Sequence, residues 1–146
     1  MMKEVTLYTD GACSGNPGAG GYGAILEYKG VERVVSGGEK ETTNNKMELK
    51  AVIEGLKALK EPCIVKVYTD SAYIEMAFND NRLEFWQNNN WKTASKSQVK
   101  NVELWQELLL LTKKHKVEFI KVKGHSDNEK NNRCDKIARE ECKKYQ

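Results

Sequence analysis

Long apolar runs are missing from this chain of 146 residues. The longest obvious run is the four leucines at 108–111, far short of the roughly 20 residues that span a bilayer. Residues 1–4 lead into a strand pattern without the apolar segment of a secretory signal. We therefore expect a cytoplasmic protein with no membrane as a partner.

Histidines and closely spaced cysteines are also scarce. The chain has two histidines and four cysteines, and no two cysteines have Cys-x-x-Cys spacing. This scarcity argues against a zinc site. Cys134 and Cys142 fall on the apolar side of a helical pattern, where a free thiol packs as a small hydrophobic group. We expect reduced, structural cysteines rather than disulfides.

Only two prolines occur, and hydrophobic residues make up 39% of the chain, which argues against a disordered protein. The length fits one domain spanning residues 1–146. Charge is unevenly distributed, because nine Lys or Arg but only four Glu lie between Arg82 and Lys123. A basic segment of this kind suits an approaching polyanion, although an ordinary solvated helix surface has the same composition.

One short motif occurs twice. Tyr8-Thr9-Asp10 and Tyr68-Thr69-Asp70 each follow a run rich in β-branched residues, and each precedes a small residue. Such runs predict strands with an aspartate at the carboxyl end. If the strands are parallel neighbours, about 4.8 Å apart, both carboxylates stay ionised only with a cation between them. The repeat therefore predicts a metal site.

A glycine cluster follows the first copy of the motif. Residues 18–23 match the dinucleotide-binding pattern G-x-G-x-x-G, which is meaningful only when a helix follows. Here residues 22–28 alternate as a strand, and Gly30 turns the chain into another strand at 31–36. A hairpin offers no helix N-terminus to a pyrophosphate, so we reject dinucleotide binding.

The first helix is predicted after the capping residues 42–45, because apolar residues from 49 to 59 have helical spacing. Glu48 lies at the edge of this buried stripe, although it could instead close a capping box with Asn45. The later predicted elements are a strand at 64–69, a helix at 71–79, an irregular segment at 82–100, a helix capped by Asn101, a strand at 117–123, a polar loop at 124–128 and a helix from about Asn131. This order predicts an α/β fold with helices packed on a mixed sheet.

Four carboxylates are candidate metal ligands, two at strand ends and two early in helices: Asp10, Asp70, Glu48 and Asp135. Oxygen ligands without a set of thiolates or imidazoles select a hard cation, magnesium or manganese. Asp135 has a simpler explanation as well, since a carboxylate in the first turn of a helix complements the helix dipole.

Further motifs lie in order along the whole chain. They are Tyr8-Thr9-Asp10-Gly11, Gly15-Asn16-Pro17-Gly18, Thr43-Asn44-Asn45 with Met47-Glu48-Leu49, Thr69-Asp70-Ser71, Trp91-Lys92-Thr93, Lys100-Asn101-Val102 with Leu104-Trp105, Lys123-Gly124-His125, and Asn131 with Arg133-Cys134-Asp135. By these motifs the chain resembles the type 1 ribonucleases H, particularly the compact bacterial members. The resemblance implies a ribonuclease H-like five-stranded sheet, with three antiparallel strands and then parallel ones.

The resemblance also implies an activity, a cofactor and a partner. The expected protein is a monomeric endonuclease that hydrolyses the RNA strand of RNA–DNA hybrids, leaving 5′-phosphate and 3′-hydroxyl ends. Asp10, Glu48, Asp70 and Asp135 are expected to hold two Mg²⁺ ions, with Mn²⁺ as a substitute, and the two ions would act on an in-line displacement. His125 is expected to transfer a proton, since its ordinary pKa near 6.5 suits that role.

The resemblance assigns substrate contacts to two further groups of residues. Contacts to the RNA strand are expected from Cys13, Gly15, Asn16, Asn44 and Asn45. Contacts to the DNA strand are expected from Trp86, Trp91, Lys92, Thr93 and Lys96, where aromatic faces and lysines meet sugars and phosphates. Asn131 is a further expected substrate contact. Trp105 has helical spacing within an apolar stripe, so we expect it in the core.

Three positions depart from the family pattern. Residues 87–90 read Gln-Asn-Asn-Asn where well-known bacterial relatives are basic, which predicts weaker hybrid binding with a shallower salt dependence. Ala72 stands where glutamine is common, and Asp127 where glycine is common. None of these departures touches the four carboxylates. The alternatives are a non-catalytic nucleic-acid-binding domain, or another metal-dependent nuclease of the same fold.

Overall fold

The structure, a computed structural model, describes residues 2–122 and 128–146. Within these ranges the chain forms a five-stranded sheet with the strand order β3-β2-β1-β4-β5. The strands are β1 (Lys3–Cys13), β2 (Gly18–Tyr28), β3 (Val31–Thr42), β4 (Cys63–Thr69) and β5 (Lys116–Lys121). The first three pair antiparallel, whereas β4 pairs parallel with both β1 and β5. The predicted mixed α/β sheet is confirmed.

Five helices accompany the sheet in the described part of the chain. They are α1 (Asn44–Lys57), α2 (Ala72–Asn79), α3 (Arg82–Asn88), α4 (Val102–Lys114) and α5 (Glu129–Lys144). The prediction of an irregular segment from residue 82 is wrong for its first seven residues, which form α3. This helix places only Leu83 and the half-buried Trp86 against the core, so its apolar pattern is too short to predict a helix.

The first three strands run further than predicted. The prediction that β1 ends at Asp10 is wrong, because its ladder with β2 continues through Asp10–Gly23 to Cys13–Gly20. The parallel ladder with β4 does stop early, at Tyr8–Tyr68. Asp10 therefore lies inside one ladder and just beyond the end of the other, at the point where the two central strands separate.

The glycine cluster explains how helices reach both faces of the sheet. A Cβ atom on Gly21 would come within 3.0 Å of backbone atoms of Ala138 and Cys142 in α5. A Cβ atom on Gly20, which points to the opposite face, would lie 2.9 Å from the Met47 side chain in α1. These buried strand glycines are packing positions that allow α1 and α5 to lie directly on β2.

We expect Gly21→Ala to lower the free energy of unfolding by about 3 kcal/mol, because the added methyl group overlaps helix backbone that cannot rotate away. Urea denaturation measures the change. Gly30→Ala is the control: its φ of 82° disfavours a side chain, but no atom lies within 4 Å of the added Cβ. That variant should lose only about 1 kcal/mol. Equal losses in the two variants would contradict the packing explanation.

The core contains the residues that helical and strand spacing predict. Trp105 is completely buried, as expected, and Cys134 and Cys142 are buried on the sheet side of α5. All four cysteines have free thiols. Burial raises the pKa of Cys134 to about 12, so its thiol is a poor nucleophile at neutral pH. No helix in the described residues is long and apolar enough to cross a membrane.

Candidate active site

The two central strands bring Asp10 and Asp70 together. Their parallel pairing ends at Tyr8–Tyr68, where the two rings stack with centroids 5.4 Å apart, and each aspartate follows two residues later. After β4 the chain turns sharply, because Ser71 N donates to Thr69 Oγ1 at 3.0 Å. Ser71 then caps α2 with its hydroxyl. Asp70 thus lies at the carboxyl end of its strand, as the repeated motif predicts.

Glu48 reaches the same place from α1, although it is part of a helix. Its side chain is buried, and Oε1 accepts a hydrogen bond from Gly11 N at 2.9 Å. The same N–H lies 2.9 Å from Asp10 Oδ1. The alternative of a capping box between Asn45 and Glu48 is wrong, because Thr43 is the N-cap residue and Glu48 faces β1.

Gly11 allows this approach of helix to strand. A Cβ atom at this position would lie 2.6 Å from Glu48 N and 2.7 Å from the Met47 carbonyl carbon. Any larger residue would push α1 away from β1 and separate the two carboxylates. The periodicity of the sequence could not predict this role of Gly11, because the role depends on a contact with residues far away in the chain.

Three carboxylates form the centre of the site. Oxygen atoms of Asp10, Glu48 and Asp70 all lie within 4.8 Å of one another. They line a cleft of about 350 Å³, which Asn44, Asn45, Asn131 and Asp135 also border. The four predicted ligands therefore share one cleft, but only three of them converge.

The electrostatics of this centre are unfavourable without a cation. Burial, and then the charge of Asp70, raises the pKa of Asp10 to about 7. Burial, and then the charge of Asp10, raises the pKa of Glu48 well above its ordinary value. Asp10 and Glu48 therefore both resist ionisation, because each buried carboxylate lies close to the other and to Asp70.

The residues present fit a divalent cation. Glu48 Oε2 is buried, and no N–H or O–H donor among the described residues reaches it. A buried carboxylate oxygen without a donor is costly unless another group coordinates it. All the converging ligand atoms are oxygens, which Mg²⁺ and Mn²⁺ prefer over zinc. The three carboxylates could therefore hold a metal ion.

Asp135 and His125 stand apart from the converging group. Asp135 lies in the second turn of α5, and its Oδ2 accepts from Arg139 Nε at 3.1 Å, one turn further along. It borders the cleft while paired with this exposed arginine. His125 and Asp127 lie outside the described residues.

The residues predicted to contact the RNA strand lie around the amino end of α1. Cys13 is half-buried, and its thiol donates to Thr42 O at 3.4 Å. Asn16 Oδ1 accepts from Asn44 N at 3.0 Å, which ties the loop at 14–17 to the first residue of α1. Gly15, Asn16, Asn44 and Asn45 are exposed, and the last two border the cleft.

The tryptophan and lysine segment forms a separate surface. The half-buried Trp86 packs 5.6 Å, centroid to centroid, from the buried Trp105. Trp91 is also half-buried against the core. Lys92 and Lys96 are exposed. Thr93, the remaining predicted contact in this segment, is half-buried. Each of these two tryptophans therefore packs partly against the core and leaves part of its ring at the surface.

Besides Ala72, five residues that border the cleft were not predicted as site residues: Gly11, Ser71, Tyr73, Val122 and Asn132. Tyr73 lies within the helix predicted at 71–79, and its hydroxyl accepts from Trp105 Nε1 at 3.0 Å and from Asn101 Nδ2 at 3.1 Å. Asn101 is the N-cap residue of α4, as predicted, but its side chain makes this bond to Tyr73 and no capping hydrogen bond.

A mixed sheet with this strand order, carrying clustered carboxylates where its central strands separate, defines the ribonuclease H-like class of fold. Within that class, the chain belongs to the RNase H family and is an enzyme of the ribonuclease H type, since the family model matches residues 2–143.

Curated relatives agree over nearly the whole chain. This chain is 66% identical to the ribonuclease H of Caldicellulosiruptor saccharolyticus over 138 residues, which cover 94% of this chain and 95% of the relative. It is 63% identical to the ribonuclease H of Acetivibrio thermocellus over 143 residues, covering 98% and 97%.

Solved structures share the fold. LC9-RNase H1, a type 1 RNase H with the type 2 active-site motif, is 31% identical with a TM-score of 0.89, over 100% of this chain and 75% of that one. LC11-RNase H1 in complex with an RNA/DNA hybrid is 24% identical with a TM-score of 0.72, over 96% and 97%. The predicted family and fold are both confirmed.

Proposed function

We propose that this enzyme hydrolyses the RNA strand of RNA–DNA hybrids with two divalent cations, leaving 5′-phosphate and 3′-hydroxyl ends. The observation that carries the proposal is the convergence of three carboxylates within 4.8 Å in an open cleft. Family membership and the hybrid-bound relative support the choice of substrate. The proposed ions are Mg²⁺, with Mn²⁺ as a substitute, and the proposed enzyme is a cytoplasmic monomer of one domain.

Each residue of the site has a specific task in this proposal. Asp10, Glu48 and Asp70 would hold the cations, and Asp135 would join them on leaving Arg139, with which it forms an exposed ion pair that costs little to break. Divalent cations held there would supply an activated water and would stabilise the leaving oxygen. The Gly11 N–H keeps the Asp10 and Glu48 carboxylates oriented toward the cleft. His125 transfers a proton.

The same proposal distributes the two strands of the hybrid over the surface. The exposed amides of Asn44 and Asn45 border the cleft, where they can both donate to and accept from 2′-hydroxyl groups. Cys13, Gly15 and Asn16 continue this surface. The DNA strand lies along the segment with Trp86, Trp91, Lys92, Thr93 and Lys96.

Labelled RNA–DNA hybrid, duplex RNA and duplex DNA, each with Mg²⁺ or with EDTA, test the proposal. We expect cleavage of only the RNA strand of the hybrid, and only with Mg²⁺. The products should accept a 3′-terminal nucleotide from a ligase without prior phosphatase treatment, because their 3′ ends carry hydroxyl groups. Cleavage of duplex DNA, or equal cleavage of all three substrates, would contradict the proposal.

The uncharged segment at residues 87–90, Gln-Asn-Asn-Asn, predicts that hybrid binding depends only weakly on salt concentration. Asn89 and Asn90 are exposed where α3 ends, and neither adds charge. In the double variant Asn89→Lys/Asn90→Lys, the slope of log affinity against log salt concentration should steepen by about 0.7 to 0.9 for each new phosphate contact. Fluorescence anisotropy with a non-cleavable hybrid measures the slope. Val31→Lys, on the exposed edge strand β3, should leave the slope unchanged.

A further inference from the structure

Asn131 connects three elements of the site through one side chain. It lies in the first turn of α5, where its backbone N–H donates to Asn128 Oδ1 at 3.1 Å. Its side-chain Nδ2 donates to Tyr68 O at 3.0 Å in β4 and lies 3.4 Å from Thr9 O in β1. The residue is only 8% exposed, although it also borders the carboxylate cleft.

The orientation of this amide follows from its partners. Both partners are carbonyl oxygens, which can only accept, so the amide nitrogen must face them. The parallel ladder between β1 and β4 ends at Tyr8–Tyr68. Beyond that pair, the two N–H bonds of Asn131 replace ladder hydrogen bonds and hold the separating strands at a fixed distance.

Three of the cleft carboxylates belong to residues close in sequence to Asn131 or to the residues that it contacts. Asp10 follows Thr9 directly, Asp70 follows Tyr68 by two residues, and Asp135 lies one helical turn after Asn131. The other amide atom, Oδ1, is buried and has no donor among the described residues. A buried amide oxygen at the wall of a metal cleft is placed to accept from a water bound there.

We propose that Asn131 is a positioning residue that sets the spacing of Asp10, Asp70 and Asp135 for divalent cations. This inference rests on the proposed function, since it assigns a task within that metal site. It differs from the expected substrate contact, because the amide N–H groups are already used inside the protein. Helix capping does not account for the side chain either, since Asn128 is the N-cap residue.

Calorimetric titration of the metal-free protein with Mg²⁺ is the direct test, with no substrate present. Asn131→Ala should weaken Mg²⁺ binding about 10-fold or more, which is the effect typical of groups that orient metal ligands. In hybrid cleavage, the variant should lose about 10- to 100-fold in kcat, with KM changed less than about twofold.

Cys142→Ala is the matched control, because Cys142 is buried further along α5, and its thiol donates to Ala19 O at 3.2 Å, away from the carboxylates. It should destabilise the packing of α5 while leaving Mg²⁺ affinity and kcat unchanged. If circular dichroism shows that Asn131→Ala does not fold, Asn131→Ser retains one donor, and a several-fold loss of Mg²⁺ affinity is expected of it.

The outcomes separate the inference from the proposed function. If the wild-type protein bound no Mg²⁺, the proposed metal site would fail, and the role of Asn131 with it. If the wild type bound Mg²⁺ and Asn131→Ala bound it equally well, only the inference would be overturned. A raised KM with normal kcat would also overturn it, since that result identifies a substrate contact.

Discussion

Asp70→Asn is expected to lower kcat on an RNA–DNA hybrid by at least about 1,000-fold, while the protein remains folded. The amide keeps the shape of the side chain but removes its negative charge. Asp70 is one of three carboxylates within 4.8 Å, and without its charge only two converging carboxylates remain to balance the proposed divalent cations. A 1,000-fold loss corresponds to about 4 kcal/mol of the activation barrier.

Single-turnover cleavage with saturating Mg²⁺ measures this loss, and circular dichroism confirms the fold. Asp80→Asn provides the control, because Asp80 is an exposed aspartate at the C-cap of α2, ten residues later in the chain. Its variant should keep the wild-type rate within about twofold. A rate within tenfold of the wild type for Asp70→Asn would contradict the metal-ligand assignment.

The position of Asp70 could be predicted from sequence because local chemistry decides it. A β-branched run followed by a small helix-capping residue predicts both the end of β4 and the start of α2. The same reasoning misplaced the end of β1. Glycines have low strand propensity, yet β1 continues through Gly11 to Cys13 because its pairing with β2 continues there and α1 packs on Gly11.

Glu48 shows what the sequence could not predict. Its spacing from Asn45 is that of a capping box, and helical periodicity alone leaves it at the edge of the buried stripe. The deciding contact is the N–H of Gly11, which is 37 residues earlier in the chain. The pairing of Asp135 with Arg139 is likewise a choice of side-chain conformation, which neither periodicity nor motif determines.

Removal of metal should make the stability of this protein fall as pH rises. The pKa of Asp10 in the folded state is raised from its ordinary value of 3.8 to about 7, chiefly by burial and then by Asp70. Between these two values the folded state binds more protons than the unfolded state. The contribution of Asp10 is therefore complete below about pH 4 and is lost as pH rises through 7.

The size of this effect follows from the pKa. A folded-state value about three units above the ordinary one corresponds to about 4 kcal/mol, and the raised pKa of Glu48 acts in the same direction. Urea denaturation in EDTA at several pH values between 4 and 8 measures it. The side chain of Asp10→Asn cannot ionise. The free energy of unfolding of this variant should therefore exceed that of the wild type by an amount that grows across this pH range, toward about 4 kcal/mol.

Two comparisons make the result specific to the carboxylate cluster. Asp80→Asn should follow the wild-type pH dependence, because its carboxylate is exposed outside the cleft. Added Mg²⁺ should stabilise the wild type most at pH 7 to 8, since cations bind the ionised carboxylates, and should do so far less for Asp10→Asn. A difference between Asp10→Asn and the wild type that stayed constant with pH would show that repulsion at Asp10 does not limit stability.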